Sequence, residues 1–138
     1  MNTNYYGRLA LTEAARYFTT KGYIVSYPMN DNQFYDLVIE KDGVFTPVQC
    51  KYTSQKCNNN PDAYDCKLVT TGGSRSKIYS RVTDHDQLLF CMREDGICYV
   101  IPTKDITCTS KIRLITVKKG FSSSLDTSKY IVCKRTIA

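Results

Sequence analysis

Apolar residues recur at helical spacing near the N-terminus and at strand spacing over most of the remaining chain. Between Asn4 and Thr20 a stripe runs through Gly7, Ala10, Leu11, Ala14 and Phe18, with Tyr17 on its flank. This i, i+3, i+4, i+7 pattern predicts one amphipathic helix, capped by Thr3 or Asn4 and stopped by Lys21-Gly22. Tyr23 to Tyr27 reads as a strand closed by Pro28, followed by a polar loop from Met29 to Gln33. Two apolar runs, about 34–40 and 44–52, then flank Asp42-Gly43, a dipeptide favoured in two-residue hairpin turns. Residues 53–65 read as a polar, Asn-rich loop, Lys67 to Thr71 as a short strand, and Thr71-Gly72-Gly73-Ser74 as a flexible break. Gln87 to Met92 and Ile97 to Ile101 predict two strands joined across Glu94-Asp95-Gly96. A helical turn from Thr103 to Ile106 and strands near 112–117 and 130–133 complete the order. Phe121-Ser122-Ser123-Ser124 reads as a mobile loop. The order predicts an α/β chain, a mixed sheet flanked by helices.

The Asp42-Gly43 turn also fixes a register. If Lys41 faces Val44, Asp36 lies across from Gln49. Side chains alternate between faces, so Lys51 joins Gln49 and Asp36 while Leu37, Ile39, Val48 and Cys50 take the apolar face. A carboxylate, a neutral oxygen ligand and an ammonium thus meet on one face of a ribbon, which outlines a metal-plus-lysine site for phosphodiester hydrolysis. Pro47 lies inside the second strand, where proline is confined to an edge, a bulge or the first residue. A bulge there would carry Gln49 and Lys51 together to the other face.

Asp36, followed after the hairpin by Gln49-x-Lys51, resembles the PD-(D/E)XK nuclease superfamily. The similarity runs on through Gly7, the helix, Lys21-Gly22-Tyr23, Pro28, Tyr35-Asp36-Leu37-Val38 and Val48-Gln49-Cys50-Lys51. Later, Asp86-x-Leu88-x3-Cys91, Tyr99-Val100-Ile101-Pro102 and Ile112-Arg113-Leu114 resemble the branch that includes group I intron homing endonucleases. The resemblance implies a restriction-endonuclease-like core. It also implies a site in which Asp36, Gln49 and the backbone carbonyl of Cys50 hold Mg²⁺ or Mn²⁺ and Lys51 positions or polarises the attacking water. Two departures stand out. Tyr35 replaces the proline before the first Asp, a harmless variation. Gln49 replaces an acidic residue; its carbonyl still suits a hard cation, with one negative charge fewer. A third carboxylate, usual on the first helix of related resolvases, would fall at Leu11, which cannot bind metal. Glu13 is the only acid in that helix, and it reads either as a further site residue or as a solvated flank residue near Arg16 and Tyr17.

The 138 residues suit one domain, 1–138, with a real core and no separate recognition module. No stretch approaches the ~20 apolar residues of a membrane span, and the first residues lack an export signal. Seven cysteines without a C-x-x-C pair fit a reduced, intracellular chain. Cys57 and Cys66, joined by Cys108 or Cys133, would make a zinc site of unfamiliar spacing. The expected location is the cytoplasm of a prokaryotic or phage-infected cell. Residues 1–105 carry twelve basic and twelve acidic side chains, so 106–138 supply the whole net charge of +6. Lys67, Arg75, Lys77 and Arg81 in one stretch, and Lys111, Arg113, Lys118 and Lys119 in the other, are candidates for phosphate contacts with double-stranded DNA. One active site per short chain predicts a homodimer or homotetramer for a duplex break. The site-specific homing endonuclease is the favoured role. A Holliday-junction resolvase and a non-catalytic DNA-binding protein on the same fold are its rivals. His85, the only histidine, lies between Asp84 and Asp86 and reads as a turn residue.

Overall fold

The computed structural model describes residues 3–30, 33–72, 77–108, 110–118 and 125–134. Helix α1 (Thr3–Thr20) forms where the sequence places the helical stripe, and Ala10, Ala14 and Phe18 on that stripe are buried. It stops at Gly22, whose φ of 89° is open to glycine without a Cβ clash. There the Gly22 N–H donates to the Thr19 carbonyl and the Tyr23 N–H to the Phe18 carbonyl, each at 3.0 Å. The Phe18 and Tyr23 rings meet edge to face at 5.7 Å, completing a Schellman stop with its apolar contact.

Strands β1 (Ile24–Ser26), β2 (Leu37–Lys41) and β3 (Val44–Thr53) form the first half of the main sheet. Between β2 and β3, Asp42 and Gly43 both adopt positive φ, 54° and 81°, as a two-residue primed turn requires. The register runs from Lys41↔Val44 to Leu37↔Val48, as expected from the turn. Pro47 causes no slip, for a geometric reason. Pairs alternate between hydrogen-bonded and open, and the pair flanking a two-residue turn is hydrogen-bonded. Residues 44, 46 and 48 therefore direct their backbone groups at β2. Pro47 faces the other edge, where pairing with β7 starts only at Val48.

Strands β7 (Leu88–Arg93), β8 (Ile97–Pro102) and β10 (Ile131–Lys134) complete a six-stranded sheet in the order β1-β2-β3-β7-β8-β10. The β3–β7 pair is parallel and the others are antiparallel. A parallel pair needs a crossover, and here it carries β4 (Tyr64–Lys67), β5 (Val69–Gly72) and β6 (Lys77–Arg81). β4 pairs with β9 (Lys111–Leu114), and β5 with β6. Short 3-10 turns at Val82–Asp84, Thr103–Asp105 and Thr127–Tyr130 join α1 as the helical elements among the described residues.

The sheet separates two cores. On one face α1 packs on Leu37, Ile39, Val48, Phe90 and Met92. On the other, Leu89, Cys91, Tyr99 and Ile101 meet Tyr64, Cys66, Ile112 and Leu114 of the β4–β9 pair. Each large apolar side chain fully buried this way contributes roughly 2 kcal/mol against the entropy of ordering the chain. Arg93, 3% exposed, ties the second core together. It pairs with Asp95 at 2.6 Å, donates to the Tyr99 hydroxyl at 3.1 Å and stacks over Tyr64 at 4.4 Å.

Three expectations change. The supposed loop 53–65 ends in a strand, since Tyr64 and Cys66 alternate with Asp65 and Lys67 and bury their side chains against β9. The stretch from Lys67 to Thr71 divides at Leu68, which is fully buried. The strand expected over 112–117 is Lys111–Leu114. Phe121 to Ser124 and residues 73 and 74 of the expected break lie outside the described residues.

Candidate active site at the end of the β2–β3 ladder

The Cα ladder of β2 and β3 ends at Leu37↔Val48, one pair before Asp36 and Gln49. The Asp36 N–H still donates to the Val48 carbonyl at 2.8 Å, so β2 turns off while held to β3. Its carboxylate takes over where the backbone ladder stops. Asp36 Oδ2 accepts from the Cys50 N–H at 2.8 Å and from Gln49 Nε2 at 2.9 Å. Sequence reasoning placed Asp36 and Gln49 opposite each other, and the two side chains do meet. The Cys50 hydrogen bond was not foreseen. It follows from the same parity that spares Pro47: residue 50 directs its N–H and C=O at the edge that β2 vacates.

Three oxygens remain. Both hydrogen bonds fall on Oδ2, so Asp36 Oδ1 and Gln49 Oε1 accept none among the described residues. The Cys50 carbonyl lies on the same strand edge. No group of three His, Cys, Asp or Glu side chains able to hold a metal occurs among the described residues. A carboxylate, an amide oxygen and a backbone carbonyl nonetheless form an all-oxygen donor set. That suits a hard divalent cation such as Mg²⁺ that keeps several waters, and the residues present fit such an ion.

Burial pushes the Asp36 carboxyl above its ordinary value. The Cys50 N–H and the Lys51 ammonium pull in the opposite direction and do not cancel it. A half-buried carboxylate held short of full charge compensation is a site that gains from a cation. Lys51 lies on the face of β3 away from α1, because its neighbours Cys50 and Tyr52 pack on the α1 core while Lys51 pairs with Cys91 of the opposite core. Its charge is felt at both Asp36 and Cys91.

Glu13 is placed elsewhere. Its carboxylate meets Arg16 Nε at 3.3 Å, and its charge acts on Cys98 of β8. In the sheet order β8 is separated from β3 by β7, so the structure does not bring Glu13 to Asp36. The cysteines suggested for zinc also scatter: Cys57 donates to Asp65, Cys66 lies 3.6 Å from Cys91, and Cys133 contacts Arg16.

At Cys50 and Lys51 opens a cleft of about 870 Å³, lined also by Tyr6, Tyr52, Gln55, Lys56, Asn58, Asp65, Lys67 and Lys111. Lys67 and Lys111 were singled out in the sequence, and the β4–β9 pairing Lys67↔Lys111 brings them together. Asp65 of β4 holds Lys111 at 3.4 Å and Arg113 at 3.9 Å. Arg81 and Lys118 are exposed. Lys77 lies on β6, its side chain outside the described set, and Arg75 and Lys119 fall outside the described residues. Sequence reasoning missed Lys56 and the 54–58 loop. Only the Tyr-Asp-Cys-Lys alternation at 64–67 signalled the wall that closes this cleft.

Comparison with known proteins bears on the family and the fold. Residues 1–126 match the sequence model of the PD-(D/E)XK endonuclease family. The chain is 39% identical over 82 residues to Protein 5.3 of Escherichia phage T7, covering 56% of this chain and 70% of that protein. Its fold is similar to that of a bacterial homing endonuclease, I-Ssp6803I, with a TM-score of 0.68 and 23% identity over 94% of this chain and 86% of that one. With a family match over residues 1–126, which include α1, the hairpin and the β7–β8 pair, the chain belongs to the PD-(D/E)XK endonucleases.

Proposed function

We propose that this chain is a metal-dependent endonuclease that hydrolyses phosphodiester bonds in double-stranded DNA, as a site-specific homing endonuclease. The observation that carries the reading is the pair of hydrogen bonds on Asp36 Oδ2, which leaves Asp36 Oδ1, Gln49 Oε1 and the Cys50 carbonyl as acceptors at one edge. These three groups would hold Mg²⁺ or Mn²⁺. When bound, the cation lowers the pKa of a water and offsets charge on the phosphoryl oxygens. Gln49 holds Asp36 through its amide nitrogen and keeps its oxygen for the ligand. Lys51, on the same face of β3 as Gln49, orients the attacking water or neutralises charge developing on the phosphate. Lys67, Lys111, Arg113, Arg81 and Lys118 would contact DNA phosphates, and Arg75, Lys77 and Lys119 are further candidates for such contacts from the sequence. A homodimer or homotetramer would supply the second active site.

The homing role is supported by the fold likeness to a bacterial homing endonuclease. The neutral Gln49 is the observation that favours a non-catalytic DNA binder, and the same experiment separates the readings. Supercoiled plasmid, long duplex DNA and a four-way junction are incubated with the protein in Mg²⁺ or EDTA, beside Asp36→Ala and Lys51→Ala. Metal-dependent cutting of duplex, lost in both variants, is the expected result. A preference for the junction would replace the homing role with a resolvase. Binding without cutting would overturn the enzyme.

A further inference from the structure

The cleft borders the candidate metal edge at Cys50 and Lys51, and the rest of its lining is chemically specific in its own right. We propose that it is a subsite for one nucleotide of the DNA held out of its base stack beside the scissile phosphate. The position next to the cut rests on the nuclease reading; the subsite itself rests on three features of the cleft.

The first is an aromatic platform. The Tyr6 and Tyr52 rings stack at 4.7 Å with an interplanar angle of 20°, and both line the cleft. Bases stack on such rings whatever their identity. The second is charge. Lys56 and Lys67 line the cleft beside Lys51 and form no ion pair among the described residues, whereas Lys111 is paired with Asp65. Two uncompensated ammonium groups next to the catalytic lysine suit the phosphates on either side of a displaced nucleotide. The third is a pair of exposed amides. The Asn58 side chain has no hydrogen bond among the described residues, and Gln55 uses only its nitrogen, on the Lys56 carbonyl. Amides offer a donor and an acceptor to a base edge.

The cleft volume of about 870 Å³ lies in the range of concavities that enclose small ligands. A site for phosphate alone would need the lysines but neither the ring pair nor the amides. An apolar ligand would have no use for three cations. A nucleotide uses all three features together.

The test compares matched duplex with the same duplex carrying a single unpaired nucleotide, with affinity measured in EDTA so that nothing is cut. An unpaired nucleotide has already met the cost of unstacking. The bulged duplex should therefore bind about tenfold tighter, a gain within reach of one base–aromatic stack. The gain should vanish in Tyr52→Leu and persist in Tyr52→Phe. Tyr52 also packs on the α1 core, so Asn58→Ala in an exposed loop is the second probe. It should reduce the gain and leave the melting temperature unchanged. Equal binding of the two duplexes overturns the subsite, as does a gain that survives both Tyr52→Leu and Asn58→Ala. Plasmid cleavage in Mg²⁺, run in parallel, reads the nuclease separately: cutting with equal binding leaves the enzyme and removes the subsite, and a bulge preference without cutting does the reverse.

Discussion

Asp36 carries a buried charge that its neighbours do not fully offset. Burial holds its carboxyl above the ordinary value near 3.8 despite the Cys50 N–H and Lys51. A raised folded-state pKa means that the folded protein binds this proton more tightly than the unfolded chain does. The stability it contributes is complete below pH 3.8 and is lost as pH rises through the folded value. Asp36→Asn keeps an oxygen for the Cys50 N–H and removes the buried charge. Thermal melts in EDTA should therefore find it more stable than the parent at pH 7, with the gap closing toward pH 3.8, while cleavage is lost. Bound cation would offset the same charge, so Mg²⁺ should raise the melting temperature of the parent and not of Asp36→Asn. Gln49→Glu tests the neutral ligand. It replaces the hydrogen bond to Asp36 with a second carboxylate, at a cost of roughly 2 kcal/mol without metal. It should melt lower in EDTA and show a larger Mg²⁺ shift than the parent. Lys51→Ala should slow cleavage by about a hundredfold to a thousandfold, the scale for removing one group that stabilises developing charge. A rate within about threefold of the parent would sink that role. These three residues were legible in the sequence because one turn fixes their register. The Cys50 N–H was not, because backbone parity at a ladder's end leaves no mark on residue type.

The β2–β3 hairpin transmits that register, and its turn is the part most open to test. Gly43 sits at φ 81° with open space where a Cβ would point, so Gly43→Ala adds backbone strain without a clash. A left-handed conformation costs an L-residue about 1–2 kcal/mol. Urea unfolding should move by that amount with an unchanged m-value. A larger loss with a changed m-value would mean that the register had slipped. Local signals of this kind made α1, the hairpin and the β7–β8 pair readable: Gly22 at the helix stop, Asp42-Gly43, and Gly96 at φ 90° each mark a conformation few other residues adopt. β4 and β9 carry no such mark. They pair across a long sequence separation, Tyr64↔Leu114 to Lys67↔Lys111, and β4 sits at the end of an Asn-rich stretch that reads as loop. The strand expected from Lys67 to Thr71 supplies most of β5, whereas β6 is short and mixes Lys, Ser and Arg with Ile and Tyr, so pairing, not pattern, makes it a strand. The basic cleft depends on these distant pairings, which is why Lys56 escaped notice.

One chain offers one Asp36–Gln49–Lys51 constellation, and both strands of a duplex must be cut for a break. In the sheet, α1 covers one face, the β4–β9 pair covers the β7–β8 part of the other, and the Asp36–Gln49 edge belongs to neither core. Two routes to a break remain physically distinct. Either an assembled homodimer or homotetramer presents two edges at once, or one chain nicks, releases and returns. Mixing parent with excess Lys51→Ala distinguishes them, because the backbone pairing of Lys51 with Cys91 does not depend on the side chain, so the variant keeps its fold. In an assembled enzyme the mixed species holds one working edge, so nicked plasmid should accumulate as the fraction of variant rises, at constant parent concentration. A linear product whose yield depends only on the parent would point to independent chains. Salt bears on the same question. Each phosphate released from a cation steepens the fall of affinity with salt by about 0.9 in log–log slope. Two chains engaged together should therefore show close to twice the slope of one, and Lys67→Ala should lower the slope by about two steps in a dimer against one in a monomer.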